Sequence, residues 1–326
     1  MRAVVVNKYG EPPVVAEVPR PQAGPGQVLI RLTSAGMNPM DRTLASGDWR
    51  PMPATFPMVV GADGAGVVDA VGQGTARFSV GDNVCGQLLI APLGSAGTYA
   101  EYVAVTEDAP LALVPDGLGL VVAAALPTAG MTGVYLVEDV LGPLTGKVVL
   151  IVGAGGGIGS FATQFAVNAG AHVIANVLEG SANRMRKYGA AETVDHTLTP
   201  LAGTVRKAHS DGIDVLLDLA SDREAFAELA ALVRPGGTAV TTKFVADTGA
   251  LKAAGVTGVN FALHHFDRSG ADSSPASSAL LERVAQAVST GRIVAPPITR
   301  ISLDDAPAVL SAAGRRPAEG KTVITI

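Results

Sequence analysis

One cysteine, Cys85, stands among 326 residues, which excludes an intrachain disulfide framework and any zinc site built from several cysteines. Basic charge is also sparse. Lys and Arg number 24 against 29 Asp and Glu, for a net charge of -5 and a pI near 5.5. They form no run, so nucleic acid and anionic membrane are not expected as main partners. The opening Met1-Arg2-Ala3-Val4-Val5-Val6-Asn7-Lys8 has an apolar core too short for a signal peptide, and it reads as the first strand of a cytoplasmic protein. From Gly117 to Val137 there is no charge, which on length alone would suit a membrane span. Gly119, Pro127, Thr128, Gly130, Thr132 and Gly133 break that stretch, and it reads as an apolar region between domains. No internal repeat or low-complexity segment is evident.

What is present is ample core material: 48% hydrophobic residues and a mean hydropathy of +0.35, in a chain about two domains long. The most informative stretch is Lys147 to Gly170. Val148 to Val152 is a continuous aliphatic run, the pattern of a strand buried on both faces of a parallel sheet. It stops at Gly153-Ala154-Gly155-Gly156-Gly157-Ile158-Gly159, where Gly153, Gly156 and Gly159 keep the G-x-x-G-x-x-G spacing. Glycines so placed allow a tight strand-to-helix turn, close approach of backbone to a pyrophosphate, and close packing of helix on strand. A glycine motif alone fits many αβ turns. Here the helix Ser160 to Ala169 and a second strand, Ala171 to Val177, supply the context of a dinucleotide site.

Residues 1 to about 118 hold short β-type runs separated by Pro and Gly, the texture of a largely antiparallel, barrel-like domain. Strands and helices then alternate. Val148–Val152, His172–Val177, Thr193–Asp195, Ile213–Asp218, Gly237–Thr242 and Gly258–Leu263 are six expected strands, enough for a doubly wound sheet. After about Asp267 come the helices Ala279–Ser289 and Asp305–Ala313, with Gly314 as a cap, and the strand Thr322–Ile326. These closing elements cannot easily extend a finished sheet. The expected fold is therefore α/β, with a β-rich first domain (1–118 and 267–326) into which a doubly wound Rossmann domain (119–266) is inserted.

The stretch Gly61 to Gly72, Phe78-Ser79-Val80-Gly81-Asp82-Asn83-Val84, Gly97-Thr98-Tyr99-Ala100-Glu101-Tyr102, the glycine turn and Lys321-Thr322-Val323 together resemble the medium-chain dehydrogenase/reductase superfamily. Gly36-Met37-Asn38-Pro39-Met40-Asp41 resembles the G-V-N-P-x-D of its zinc-free quinone oxidoreductase, or zeta-crystallin-like, branch. The resemblance implies a GroES-like catalytic domain, a Rossmann domain that binds NADPH, and a homodimer. It places Thr132 beside the nicotinamide and puts Gly153, Gly155, Gly156, Gly157, Ile158, Gly159, Thr241, Thr242, Phe261, Leu263 and Lys321 on the cofactor. At the end of the second Rossmann strand, where NAD-specific sites carry an acid, stands Asn176. Asn176, Ser181, Arg184 and Arg186 are accordingly expected around a 2′-phosphate.

Metal-dependent members of this superfamily present Cys, His and Cys, and the matching positions here are Asn38, Ala62 and Thr128, none of them a zinc ligand of the required kind. His264 and His265, as strand neighbours, face opposite ways. His172, His196 and His209 are expected on ordinary strand or helix surfaces, and no catalytic metal is expected. Hydride delivered to a quinone or an enone pushes charge onto a carbonyl oxygen, which needs preorganised donors. Asn38, Asp41 and Thr128 are the candidate catalytic residues. The branch often carries a tyrosine two residues after its aspartate, where this chain has Thr43. The expected activity is zinc-independent, NADPH-dependent reduction of a quinone or α,β-unsaturated carbonyl. Reduction of an enoyl thioester or polyketide intermediate, and an NADPH-binding scaffold or sensor with little turnover, are the alternatives.

Overall fold

The computed structural model describes residues 1–178, 180–261, 274–313 and 319–326, in two units, Met1–Met131 with Ala271–Ile326 and Thr132–Gly270. Leu263, His264, His265 and Gly314, all singled out from the sequence, lie outside the described residues.

In the first unit the short apolar runs become β1 (Arg2–Val6), β2 (Val14–Glu17), β3 (Gln27–Met37), β4 (Met58–Val59), β5 (Asp63–Val71), β6 (Asn83–Gln87), β7 (Tyr102–Thr106) and β8 (Leu111–Leu113). Helix α1 (Pro39–Ser46) leaves the end of β3. Its signals are local and chemical: Asn38 at the N-cap, Pro39 at the first helical position, and Asp41 accepting from the Asn38 backbone N–H at 2.7 Å. The uncharged segment folds as α2 (Leu120–Ala123) and α3 (Pro127–Val134), followed by a π-helical turn, Tyr135–Val140. No helix among the described residues is long and apolar enough to cross a membrane. Because α2 packs on β3, β5 and β6, the first unit extends to Met131 rather than stopping near residue 118.

In the second unit β9 (Val148–Val152), α4 (Gly157–Asn168), β10 (His172–Val177), α5 (Ala182–Lys187), β11 (Glu192–Asp195), α6 (Leu201–Ala208), β12 (Ile213–Asp218), α7 (Arg223–Ala230), β13 (Val233–Thr241), α8 (Thr248–Ala253) and β14 (Thr257–Asn260) alternate. Their sheet is parallel, with order β11-β10-β9-β12-β13-β14. The strand order reverses between β9 and β12, the switch point at which doubly wound sheets bind nucleotides. Leu150, Ile174, Leu216, Phe226 and Ala239 form part of one core beneath the helices.

The chain then returns to the first unit with α9 (Ser274–Ser289), β15 (Ile298–Ser302), α10 (Ala306–Ala312) and β16 (Lys321–Thr325). Strand β16 joins a sheet of order β15-β16-β3-β5-β6-β8, with β7 on β3. The register sets one end of this sheet. Thr322 pairs with Met37, Gly36 with Asp63, and Asp63 with Gln87. Paired residues share a face of a sheet, so Asn38, Asp63, Gln87 and Lys321 are brought together from strands far apart in sequence.

Candidate functional site

At that end of the first-unit sheet lies a buried polar network centred on Asp63, which is fully buried. Its carboxylate accepts from Asn38 Nδ2 at 2.9 Å, from Thr128 Oγ1 at 2.6 Å and from the Thr128 backbone N–H at 3.1 Å. Gln87 Nε2 donates in turn to Thr128 Oγ1 at 2.8 Å. Lys321 Nζ donates to Asn38 Oδ1 at 2.6 Å and to Met37 O at 2.9 Å, and stands 3.7 Å from Asp63 Oδ2. Burial pushes the Asp63 carboxyl up, opposed first by the Lys321 charge, and pushes the Lys321 amine down, opposed first by Asp63. The bonding pattern decides between the charged and neutral forms. Asp63 accepts every bond that it makes, the inventory of a carboxylate, and Lys321, 3.7 Å away, is the cation that balances it.

Asp41 completes the network. Its Oδ2 accepts from Tyr99 OH at 2.6 Å as well as from the Asn38 N–H, while its buried Oδ1 has no partner among the described residues. Burial raises its carboxyl to about 7, against the lowering hydrogen bonds from Tyr99 and Asn38, and the unpartnered Oδ1 is the natural seat of the proton. Thr43 donates its hydroxyl to Met40 O at 2.9 Å, within its own helix.

Asn38, Ala62 and Thr128, the positions where a catalytic zinc would be held, do not make a zinc site. Ala62 offers no ligand atom, the Thr128 hydroxyl is committed to Asp63, and the Asn38 carbonyl oxygen already accepts from an ammonium. The one thiol, Cys85, is buried on β6 and pushed up to about 12 by that burial. Lys321, expected on the cofactor, has its ammonium in this network instead. Neither Gln87 nor Tyr99 was visible as a member from sequence, because each comes from a separate strand or loop.

In the second unit the glycine turn follows the C-terminal end of β9. Gly153 takes a φ of +78°, and a Cβ on Gly159 would lie 2.3 Å from Gly153 O, so both must be glycine for α4 to start where it does. No side chain caps α4 at Gly156, which leaves its first N–H groups to face a phosphate. Ser181 and Arg184 stand beside the turn: Arg184 Nη2 donates to Gly155 O at 2.8 Å and to Ser181 Oγ at 3.1 Å. The Thr132 hydroxyl is buried and has no partner among the described residues. Thr241 ends β13 and Thr242 follows it, and the Phe261 N–H donates to Thr241 O at 2.9 Å, so these lie at the same edge of the sheet as the turn. The cradle fits a dinucleotide.

Two expected phosphate ligands are placed otherwise. Asn176 is 3% exposed, and its Nδ2 donates to Val194 O at 3.2 Å and faces His196 Nδ1 at 3.0 Å. Its amide is thus turned onto its own sheet. Arg186 reaches Asn183 Oδ1 and Thr193 Oγ1, at 3.0 and 2.9 Å, because a residue two positions along the helix from Arg184 cannot share its face.

The alcohol dehydrogenase GroES-like domain family matches residues 24–116, and the zinc-binding dehydrogenase family matches residues 157–285. Alcohol dehydrogenase 1 of Neurospora crassa is 33% identical over 264 residues, 73% of this chain and 74% of that relative. A 2-haloacrylate reductase of Burkholderia sp is 36% identical over 66% of this chain and 65% of its own. A solved structure of the quinone oxidoreductase of Pseudomonas syringae pv. tomato matches with a TM-score of 0.86 at 25% identity, over 100% of this chain and 99% of that one. The first unit carries a GroES-like domain and the second a Rossmann-like nicotinamide-binding domain. With both units and both family matches in agreement, the chain belongs to the medium-chain dehydrogenase/reductase superfamily of oxidoreductases.

Proposed function

We propose that this oxidoreductase is a zinc-independent, NADPH-dependent reductase of quinones or α,β-unsaturated carbonyls. The observation that carries this reading is the replacement of metal ligands by a closed hydrogen-bonded network, in which Asn38 and Thr128 both bind Asp63 and Lys321 holds Asn38. An alcohol must lose a proton to be oxidised, which a metal in this superfamily assists. A quinone or enone has only to gain electrons and a proton, and hydrogen bonds to its carbonyl oxygen are enough. Bound NADPH supplies the hydride. One Asn38 amide N–H is committed to Asp63, and we assign the other to the acceptor's oxygen, with Lys321 and Asp63 fixing the amide plane. Thr132 and the glycine turn orient the cofactor, and the 2-haloacrylate reductase relative is named for a substrate of the unsaturated class.

The test is NADPH oxidation across a panel of quinones, enones and enoyl thioesters, beside NADP-dependent oxidation of alcohols. Turnover of quinones or enones should survive chelator treatment. Turnover confined to alcohols, or activity lost to chelator and restored by zinc, would overturn the reading.

The choice of NADPH rests on Arg184, held at the turn by Gly155 O and Ser181 Oγ. Charge-assisted hydrogen bonds contribute about 1.5–3 kcal/mol, so Arg184→Ala is expected to weaken NADPH binding by roughly ten-fold or more while NADH binding changes little. Equal weakening of the two, measured by fluorescence titration, would remove Arg184 from the phosphate.

A further inference from the structure

Two histidines and a glutamate meet at the other end of the Rossmann sheet. His172 opens β10 and Glu192 opens β11. Ile174 pairs with Glu192, so His172, two residues before Ile174, shares the face of Glu192. His209 is the C-cap residue of α6, which packs on β11 over the same face. The result is that His172 Nε2 lies 2.6 Å and His209 Nε2 lies 2.9 Å from one atom, Glu192 Oε1. The two rings stand edge to face with centroids 5.7 Å apart. No catalytic role explains this trio, because parallel strands place it at their N-terminal ends and the glycine turn follows the opposite end of β9.

We propose that His172, Glu192 and His209 form a binding site for one divalent transition-metal ion of the zinc class, clasping β10, β11 and α6 together. The ligand atoms of the three residues all lie within 4.8 Å of one another. A zinc ion with bonds of about 2.0–2.2 Å holds neighbouring ligand atoms roughly 3.3–3.5 Å apart, so the two histidine-to-glutamate separations have to open by less than about an ångström. Two imidazoles and a carboxylate are a donor set that borderline cations accept, where calcium or magnesium would require more oxygen. The side chains of His172 and Glu192 are 43% and 35% exposed, so an ion has a route in and water can fill a fourth position. The three ligands belong to separate elements, so a bound ion acts as a cross-link within the second unit.

Calorimetric titration of the chelator-treated full chain with Zn2+ should show one saturable site per chain. Glu192→Gln and His209→Asn should each weaken it by about ten-fold or more, while circular dichroism shows both variants folded. Cobalt(II) added in place of zinc should give the visible absorption of a low-coordinate nitrogen and oxygen site in the wild-type chain, and lose it in both variants. Absence of saturable binding, or binding equal in the wild type and both variants, would overturn the proposal.

Discussion

Lys321→Met is expected to destabilise the chain by about 3–5 kcal/mol, the cost of leaving a buried charge without its partner. The Lys321 and Asp63 side chains are 4% and 0% exposed, so water cannot take over the missing role. Methionine keeps much of the length of the stem but brings no donor to Asn38 Oδ1 or Met37 O, both of which accept from Lys321 Nζ. The effect should be read by denaturant unfolding, where the midpoint drops while the slope is kept. If the damage comes from the uncompensated Asp63 charge, Asp63→Asn introduced beside Lys321→Met should recover a large part of the loss, a coupling between contacting residues. A double variant as unstable as the sum of the two single ones would show instead that packing at β16 causes the loss.

Asp41→Asn is expected to change how stability depends on pH. Burial raises the Asp41 carboxyl from 3.8 to about 7, so the folded chain binds that proton more tightly than the unfolded chain does. The stability this proton contributes is fully present below about pH 3.8 and is lost as pH rises through about 7. At about 1.4 kcal/mol per pH unit, that span corresponds to an upper figure on the order of 4 kcal/mol. Asparagine mimics the protonated carboxyl. Its carbonyl can accept from Tyr99 OH and the Asn38 N–H, while its amide takes the place of the unpartnered Oδ1. The variant should therefore match the wild type near pH 4 and exceed it near pH 8. Glu107 and Asp195, held low by hydrogen bonds, add a separate loss of stability as pH falls into the acid range, so the informative quantity is the difference between the two curves. Parallel curves would mean that Asp41 stays ionised in the fold.

The Rossmann unit was legible because its signals are local. Val148 to Gly159 states strand, turn and helix within a dozen residues, and the structure has β9 and α4 there. Helix α1 was equally local, written in Asn38, Pro39 and Asp41, but the same Asn-Pro pair also reads as a turn. The candidate site was half legible. Asn38, Asp41 and Thr128, singled out from the sequence, meet in the buried network, whereas Gln87 and Tyr99, which join it, were not singled out. Their membership depends on strand register and chain crossings, which periodicity does not encode. Asn176 shows the reverse failure. Its type and position suit a phosphate donor, yet His196 and Val194, about twenty residues further on, take up its amide. The His172, Glu192 and His209 cluster was invisible for the same reason, since only the β10–β11 register and the end of α6 bring it together.

The bond from Lys321 to Asn38 spans 283 positions, and this has a consequence for the order in which a growing chain can fold. A ribosome that has made the first 131 residues has supplied Asp63, Asn38 and Gln87 but neither β15 nor β16, so the first unit's sheet lacks two strands and its buried acid lacks its cation. Domains usually mature in the order they are synthesised. Here the order is inverted: the Rossmann unit, continuous in sequence, can mature while the earlier segment waits for the strand that will carry its ammonium. During that wait the Ser34–Met37 edge of β3, which β16 will cover, is open to pairing with any other extended chain. Chaperone dependence, and any aggregation during synthesis, should therefore trace to the earliest part of the chain rather than to the part still emerging.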